Sequence, residues 1–144
     1  MKTLYTAHAK TVGGRNGTAE TTDGTLKFTL TSPGTPNAKP GSTNPEQLFA
    51  CGYAACFGGA LDLIAKKQGV DASKAEVNAD VNLNQDDNGF ILSVVMNVLL
   101  PGMDSETAKK LVEATHQFCP YSKATRGNID VQLVVNNEKL AKAA

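Results

Sequence analysis

The sequence has no surplus of either charge: 14 Lys and Arg stand against 14 Asp and Glu in 144 residues. Counterion-driven binding to nucleic acid needs a basic excess, so nucleic acid is not an expected partner. Nor is there a hydrophobic run of the length a membrane span needs, about 20 apolar residues; the stretch of mixed apolar and small residues from Leu48 to Leu61 stops at Asp62. Met1 to His8 alternates polar with apolar residues and carries no signal-peptide core. These absences lead to the expectation of a soluble, cytoplasmic protein without membrane contact. Cysteines are few, three in all, and their odd number leaves at least one thiol unpaired in a chain long enough to build a core without staples. Arginine occurs only at positions 15 and 126. Phosphate-loop, dinucleotide and nucleophilic-serine patterns are missing: Gly13-Gly14-Arg15-Asn16-Gly17 leads into a strand rather than a helix, and no G-x-S-x-G occurs.

What is present reads as one domain over 1–137, followed by a frayed tail over 138–144. Alternating, Thr-rich segments at Leu4 to Val12, Thr18 to Thr22 and Leu26 to Leu30 predict three strands, with Arg15 at the tip of the first turn. The five Pro and Gly residues between Thr31 and Thr43 predict a long surface loop. Asn44-Pro45-Glu46-Gln47 supplies a cap, a proline for the first helical position, an acid for the positive helix end and Gln three residues past the cap. The helix it opens should run to Lys67 and stop at Gly69. Its middle is rich in Gly and Ala, so something must approach it closely. Alternation then predicts a hairpin, Ala75 to Leu83 and Phe90 to Leu100, turning at Asp86-Asp87-Asn88-Gly89. Apolar residues of both parities on the return strand imply that both its faces meet protein, as a dimer would allow. A second helix, capped by Asp104 or Ser105, carries Ala108, Leu111, Val112, Thr115 and Phe118 on one stripe and must end near Cys119, before Pro120. Ile129 to Val135 closes the order βββ-α-ββ-α-β, an α+β fold.

Cys56 lies deep in the Gly/Ala-rich helix, beside Phe49, Tyr53 and Phe57, an apolar, sheltered setting. Burial raises a thiol's pKa, and the positive helix end is too far away to offset it. A reactive Cys56 therefore needs an imported cation, from Arg15, Arg126 or a lysine, and arginine suits best because its fork can hold a carboxylate such as Glu46 while another donor serves sulfur or oxygen. Cys119, before the helix-breaking Pro120, has freedom to move toward a partner. Cys51 lies about 140° around the helix axis from Cys56 and is read as packing. His116 and Cys119 share a helical face at i and i+3, too few ligands for a zinc ribbon. His8 has no visible partner, and Tyr121 either shapes an apolar pocket or packs. The blander alternatives stay open at this point: a buried helical cysteine is commonly a small hydrophobe, and a turn arginine is commonly solvated.

Gly13-Gly14-Arg15, Asn44 to Ala50, Gly52-Tyr53, Ala55-Cys56-Phe57, Leu100-Pro101-Gly102-Met103, Cys119-Pro120-Tyr121-Ser122 and Ala124 to Val131 together resemble the organic hydroperoxide resistance family, the Ohr branch of the Ohr/OsmC superfamily. The resemblance spans nearly the whole chain up to Asn137. It implies an intertwined homodimer with active sites at the subunit interface, reducing alkyl and fatty-acid hydroperoxides without a bound cofactor, with Phe49, Tyr53 and Phe57 offering apolar surface to the alkyl chain. Cys56 matches the peroxidatic cysteine, Cys119 the resolving cysteine that pairs with it, Arg15 the activating arginine and Glu46 the acid that holds that arginine. The family's electrons come from dihydrolipoyl groups on lipoylated carrier proteins. Cys51, where a small residue is usual, and Lys123, where Asn is frequent, depart from the pattern without touching those four positions. Readings of another class are a cysteine-based redox sensor and a metal- or small-ligand-binding module.

Overall fold

A computed structural model describes residues 1–36 and 38–141, which form two compact units, 1–48 and 49–144. In the first unit β1 (Ala9–Val12), β2 (Thr18–Thr21) and β3 (Lys27–Thr29) form an antiparallel sheet in that order. The turn from β1 to β2 is a short 3₁₀ segment, Gly14–Asn16, entered through Gly13 at φ 78°. Gly17 admits no other residue there, because a Cβ would sit 1.7 Å from the Val12 carbonyl oxygen. The first strand is shorter than predicted. Its pairing runs out at Ala9 opposite Thr21, and β2 ends at the Asp23-Gly24 turn, so Leu4 and Tyr5 have no strand to join and stay 87% and 81% exposed. The described residues between Thr31 and Thr43 follow the predicted loop, with a bridge between Leu30 and Thr43 at its base.

α1 (Pro45–Gln68) begins as its sequence dictates. The Gln47 amide donates to Asn44 Oδ1 at 2.9 Å, while the Gln47 side chain is taken by Thr43 Oγ1 instead of reaching back to the cap. It ends with Gly69 in the left-handed conformation, Val70 N–H donating to Ala65 O and Gly69 N–H to Lys66 O, the paired bonds of a Schellman ending. By length and composition α1 alone would suffice to cross a bilayer. Instead it buries Tyr53, Phe57, Ala60, Leu61 and Ala65 in the core of the second unit.

That core is shared with a four-stranded sheet, order β4-β5-β6-β7. β4 (Glu76–Asp86) and β5 (Gly89–Leu99) form a hairpin of two eleven-residue strands turning through Asp87 and Asn88. Val94, Met96 and Val98 point into the core, while Phe90, of the same parity at the turn end of the strand, is 75% exposed and the opposite parity is only half covered. α2 (Ser105–Phe118), capped by Asp104 Oδ1 on Thr107 N, crosses back so that β6 (Asp130–Val135) lies parallel to β5. Phe118, predicted on the buried stripe, is instead 38% exposed and sits under the ammonium groups of Lys67 and Lys123.

Two elements were not foreseen. Pro120 opens a further short helix, α3 (Pro120–Thr125), because the first helical position needs no N–H and suits the fixed φ of proline. The expected fray begins too early as well. Asn136 and Asn137 take positive φ, which asparagine tolerates, and turn the chain into β7 (Glu138–Lys139), with Leu140 buried behind it. The rest of the predicted tail, 142–144, lies outside the described residues.

Candidate active site

The predicted site residues fall into two pairs. In the first unit Arg15, on the turn between β1 and β2, meets Glu46 at the second position of α1: Nη1 donates to Oε2 at 2.9 Å and Nη2 to Oε1 at 2.6 Å. Matched forks of this kind are the strongest common ion-pair geometry. The bonded Arg15 holds the Glu46 carboxyl below its ordinary range, and Glu46 in turn holds Arg15 above its own, so both stay charged. Two donors of the guanidinium are used on Glu46, and three remain for another acceptor.

In the second unit Cys119, wholly buried at the junction of α2 and α3, places its Sγ 3.7 Å from Sγ of Cys56 on α1, 63 positions earlier. Both thiols are free. Burial pushes the Cys56 thiol above its usual value; the main-chain amide of Tyr121 pulls it down by hydrogen bonding, and the neighbouring Cys119 pushes it up again. Tyr121 stands at the second position of α3, where an amide has no acceptor inside its own helix and is free for a sulfur. This contact was legible in Cys119-Pro120-Tyr121 only after Pro120 is seen as a helix start. Cys51, read from the sequence as packing, is instead exposed, because its offset around α1 turns it away from the Cys56 face and no other described element covers it.

The aromatic residues divide. Tyr53 and Phe57, expected to offer surface to an alkyl chain, are 0% exposed and belong to the core. Phe49 remains half-buried and stacks at 6.1 Å on Tyr121, which is 41% exposed. The close approach demanded by the Gly-rich helix is met here: a Cβ on Gly52 would touch the Tyr121 ring at 3.4 Å. Tyr53 packs edge-on to Phe49 and tilted against Tyr121, and its hydroxyl joins Ser122 Oγ at 2.9 Å and Thr125 Oγ1 at 3.2 Å. Sequence reasoning missed both hydroxyls, although a tyrosine on a buried helix face must find a partner. Arg126, a predicted cation for the thiol, instead donates Nη2 to His116 O at 2.7 Å. Buried His116 has no partner for Nδ1, and no group of three metal-ligating side chains occurs among the described residues. One cleft of about 440 Å³ in this unit, lined by Asp71, Lys74, Met103 and Asp104 among others, includes no predicted site residue.

A family model described as OsmC-like protein matches residues 34–134. The organic hydroperoxide resistance protein OhrB of Bacillus subtilis strain 168 is 48% identical over 90% of this chain and 96% of its own length. The crystal structure of Bacillus subtilis OhrB matches with a TM-score of 0.86 at 47% identity, covering 92% of this chain and 99% of that one. An organic hydroperoxide resistance protein of Elizabethkingia anophelis, crystallised with crystallant-derived thiocyanate, matches with a TM-score of 0.87 at 46% identity, over 96% and 100% of the two chains.

Proposed function

The chain belongs to the OsmC-like family, and from that premise we propose that it protects against organic hydroperoxides as a thiol peroxidase. The observation that best supports this reading is the free pair of thiols, 3.7 Å apart, with Cys119 buried and Cys56 half-buried. The named relatives, organic hydroperoxide resistance proteins, supply the substrate class. In the proposed reaction the Cys56 thiolate attacks the distal oxygen of the peroxide. The O–O bond breaks, the leaving alkoxide takes a proton to become an alcohol, and Cys56 becomes a sulfenic acid. The Cys119 sulfur then attacks Cys56, the S–O bond breaks, water departs and a disulfide forms. An external dithiol resets the pair through two exchanges.

A thiol raised by burial needs a positive charge to ionise near neutrality. Arg15 is the proposed source: Glu46 holds it in one orientation, and its free donors would stabilise both thiolate and developing alkoxide. Phe49 and Tyr121 are the proposed wall for the alkyl chain, with Tyr53 and Phe57 behind them. A homodimer with sites at its interface fits the half-covered face of β5 and the exposed Leu4 and Tyr5. The proposed electron donor is a dihydrolipoyl group on a carrier protein, no bound cofactor is required, and the proposed compartment is the cytoplasm. The test is steady-state consumption of cumene hydroperoxide against hydrogen peroxide, with dihydrolipoamide as reductant. Faster turnover of the organic peroxide, lost in Cys56→Ser, is expected. Oxidation of the thiols without turnover would replace the peroxidase with a redox sensor.

A further inference from the structure

Two contacts of similar layout join α1 to the segment around α3. One is the thiol pair. The other lies three residues away on each side: Tyr53 precedes Cys56 by three, Ser122 follows Cys119 by three, and the Tyr53 hydroxyl stands 2.9 Å from Ser122 Oγ. Tyr53 and Cys56 are neighbours on one face of α1, and Ser122 lies in the first turn of the helix that Cys119 caps, so this hydroxyl contact is close in the chain to the sulfurs on both sides. The Tyr53 oxygen also meets Thr125 Oγ1 at 3.2 Å, and Thr125 Oγ1 donates on to Ser122 O at 3.1 Å. Tyr53 and Ser122 are 0% exposed and Thr125 5%. Parting them would strand buried hydroxyls without partners, which costs more than the bonds contribute when made.

The ring of Tyr53 is accounted for by its packing against Phe49 and Tyr121, but phenylalanine would pack as well, and Phe49 and Phe57 do so on the same helix. The hydroxyl is the unexplained part. The Cys119 main chain is bonded on both sides, its N–H donating to Thr115 O at 2.8 Å and its carbonyl accepting from Lys123 N at 3.0 Å, so what remains to be fixed is how this segment sits against α1. Cys119 caps α3 with no side-chain bond, and the following Pro120 has no N–H. The segment is gripped three residues before Cys119, where Arg126 holds His116 O, and three residues after it, where Tyr53 holds Ser122. Closing a disulfide demands sulfurs about 2.05 Å apart on a narrow range of backbone separations. How readily two thiols close depends on how firmly both backbones are held near that geometry.

We infer that Tyr53 is a positioning residue for the resolving thiol, acting through Ser122 and Thr125 to set the equilibrium for Cys56–Cys119 closure. This rests on reading the two cysteines as a dithiol that closes, and its test keeps the two claims apart. The purified protein is equilibrated with mixtures of reduced and oxidised dithiothreitol, quenched in acid, alkylated and read by mass. On closure one S–S bond forms in the protein, and two electrons and two protons pass to the cyclic reagent disulfide, which opens to its dithiol. Tyr53→Phe and Ser122→Ala are each expected to lower the closure constant about tenfold, with the double variant close to either single one. Thr125→Ser, which keeps the hydroxyl, should behave as wild type. Val98→Ala, a remote core truncation, should lower the melting temperature without moving the constant. Constants within twofold of wild type in both hydroxyl variants, or an equal shift in Val98→Ala, would overturn the inference while leaving the dithiol reading intact. A wild-type protein that closes at no reagent ratio would overturn both. Should Tyr53→Phe fail to fold, Ser122→Ala carries the test.

Discussion

The two predicted pairs are held by opposite physics. Arg15 and Glu46 in the first unit are joined by two short charged bonds, with the Arg15 side chain 45% exposed. Cys56 and Cys119 in the second unit have no charge beside them that lowers the Cys56 thiol, and are held by packing and by the hydroxyls of Tyr53, Ser122 and Thr125. A charged pair keeps its geometry through its own directionality, whereas a thiol pair has little of its own and must take its geometry from the chain around it. The lesson is a division of labour: the second unit supplies alignment to its thiols, and no charge that lowers the Cys56 thiol.

Breaking the thiol side has the largest expected effect. Cys56→Ser should reduce peroxide consumption to the uncatalysed rate, measured with cumene hydroperoxide, while Cys119→Ser should still consume one equivalent and accumulate a sulfenic acid that dimedone traps. Next comes the charged pair. Arg15→Lys keeps the charge but loses the fork, and kcat/KM for the organic peroxide should fall about 100-fold. Glu46→Gln should cost less, about tenfold, because the guanidinium remains and only its orientation is loosened. The comparison is sharpened by the pH at which iodoacetamide alkylates Cys56. If Arg15 supplies the charge, Arg15→Met should move that profile upward by about one to three pH units. An unmoved profile would leave the two pairs as independent features.

The smallest effect concerns stability and involves neither pair. Burial, reinforced by Arg126, holds the His116 imidazole below its ordinary value of 6.5. The unfolded chain therefore binds the proton more readily than the folded one, and stability contributed by neutral His116 is lost as pH falls below about 6.5. Thermal unfolding followed between pH 7.5 and 5.5 should show a declining midpoint, with a shallower slope in His116→Phe.

Much of this arrangement was open to reading from residue order. Asn44-Pro45-Glu46-Gln47 and Gly69 mark both ends of α1, and alternation with Asp86 to Gly89 marks the β4–β5 hairpin, because caps and turns are local chemistry. Pro120 misled because proline both ends one helix and starts another, and only the chain beyond it decides which. The β7 strand escaped because its two residues join a sheet edge that no local pattern announces. Tyr53 and Phe57 were read as apolar surface for an alkyl chain since periodicity gives a helix face but not what covers it; here it is the core of the second unit. The 3.7 Å meeting of Cys56 with Cys119, 63 positions apart, is a property of the fold and of no spacing.

The central claim is that Cys56 and Cys119 together reduce an organic peroxide. Its most direct test adds one equivalent of cumene hydroperoxide to fully reduced protein with no reductant present, then maps the thiols by alkylation, digestion and mass. The account predicts a disulfide between the Cys56 and Cys119 peptides, one equivalent of alcohol released and Cys51 still alkylated. Peroxide left unconsumed, or oxidation that falls on Cys51 while Cys56 and Cys119 stay reduced, would contradict it.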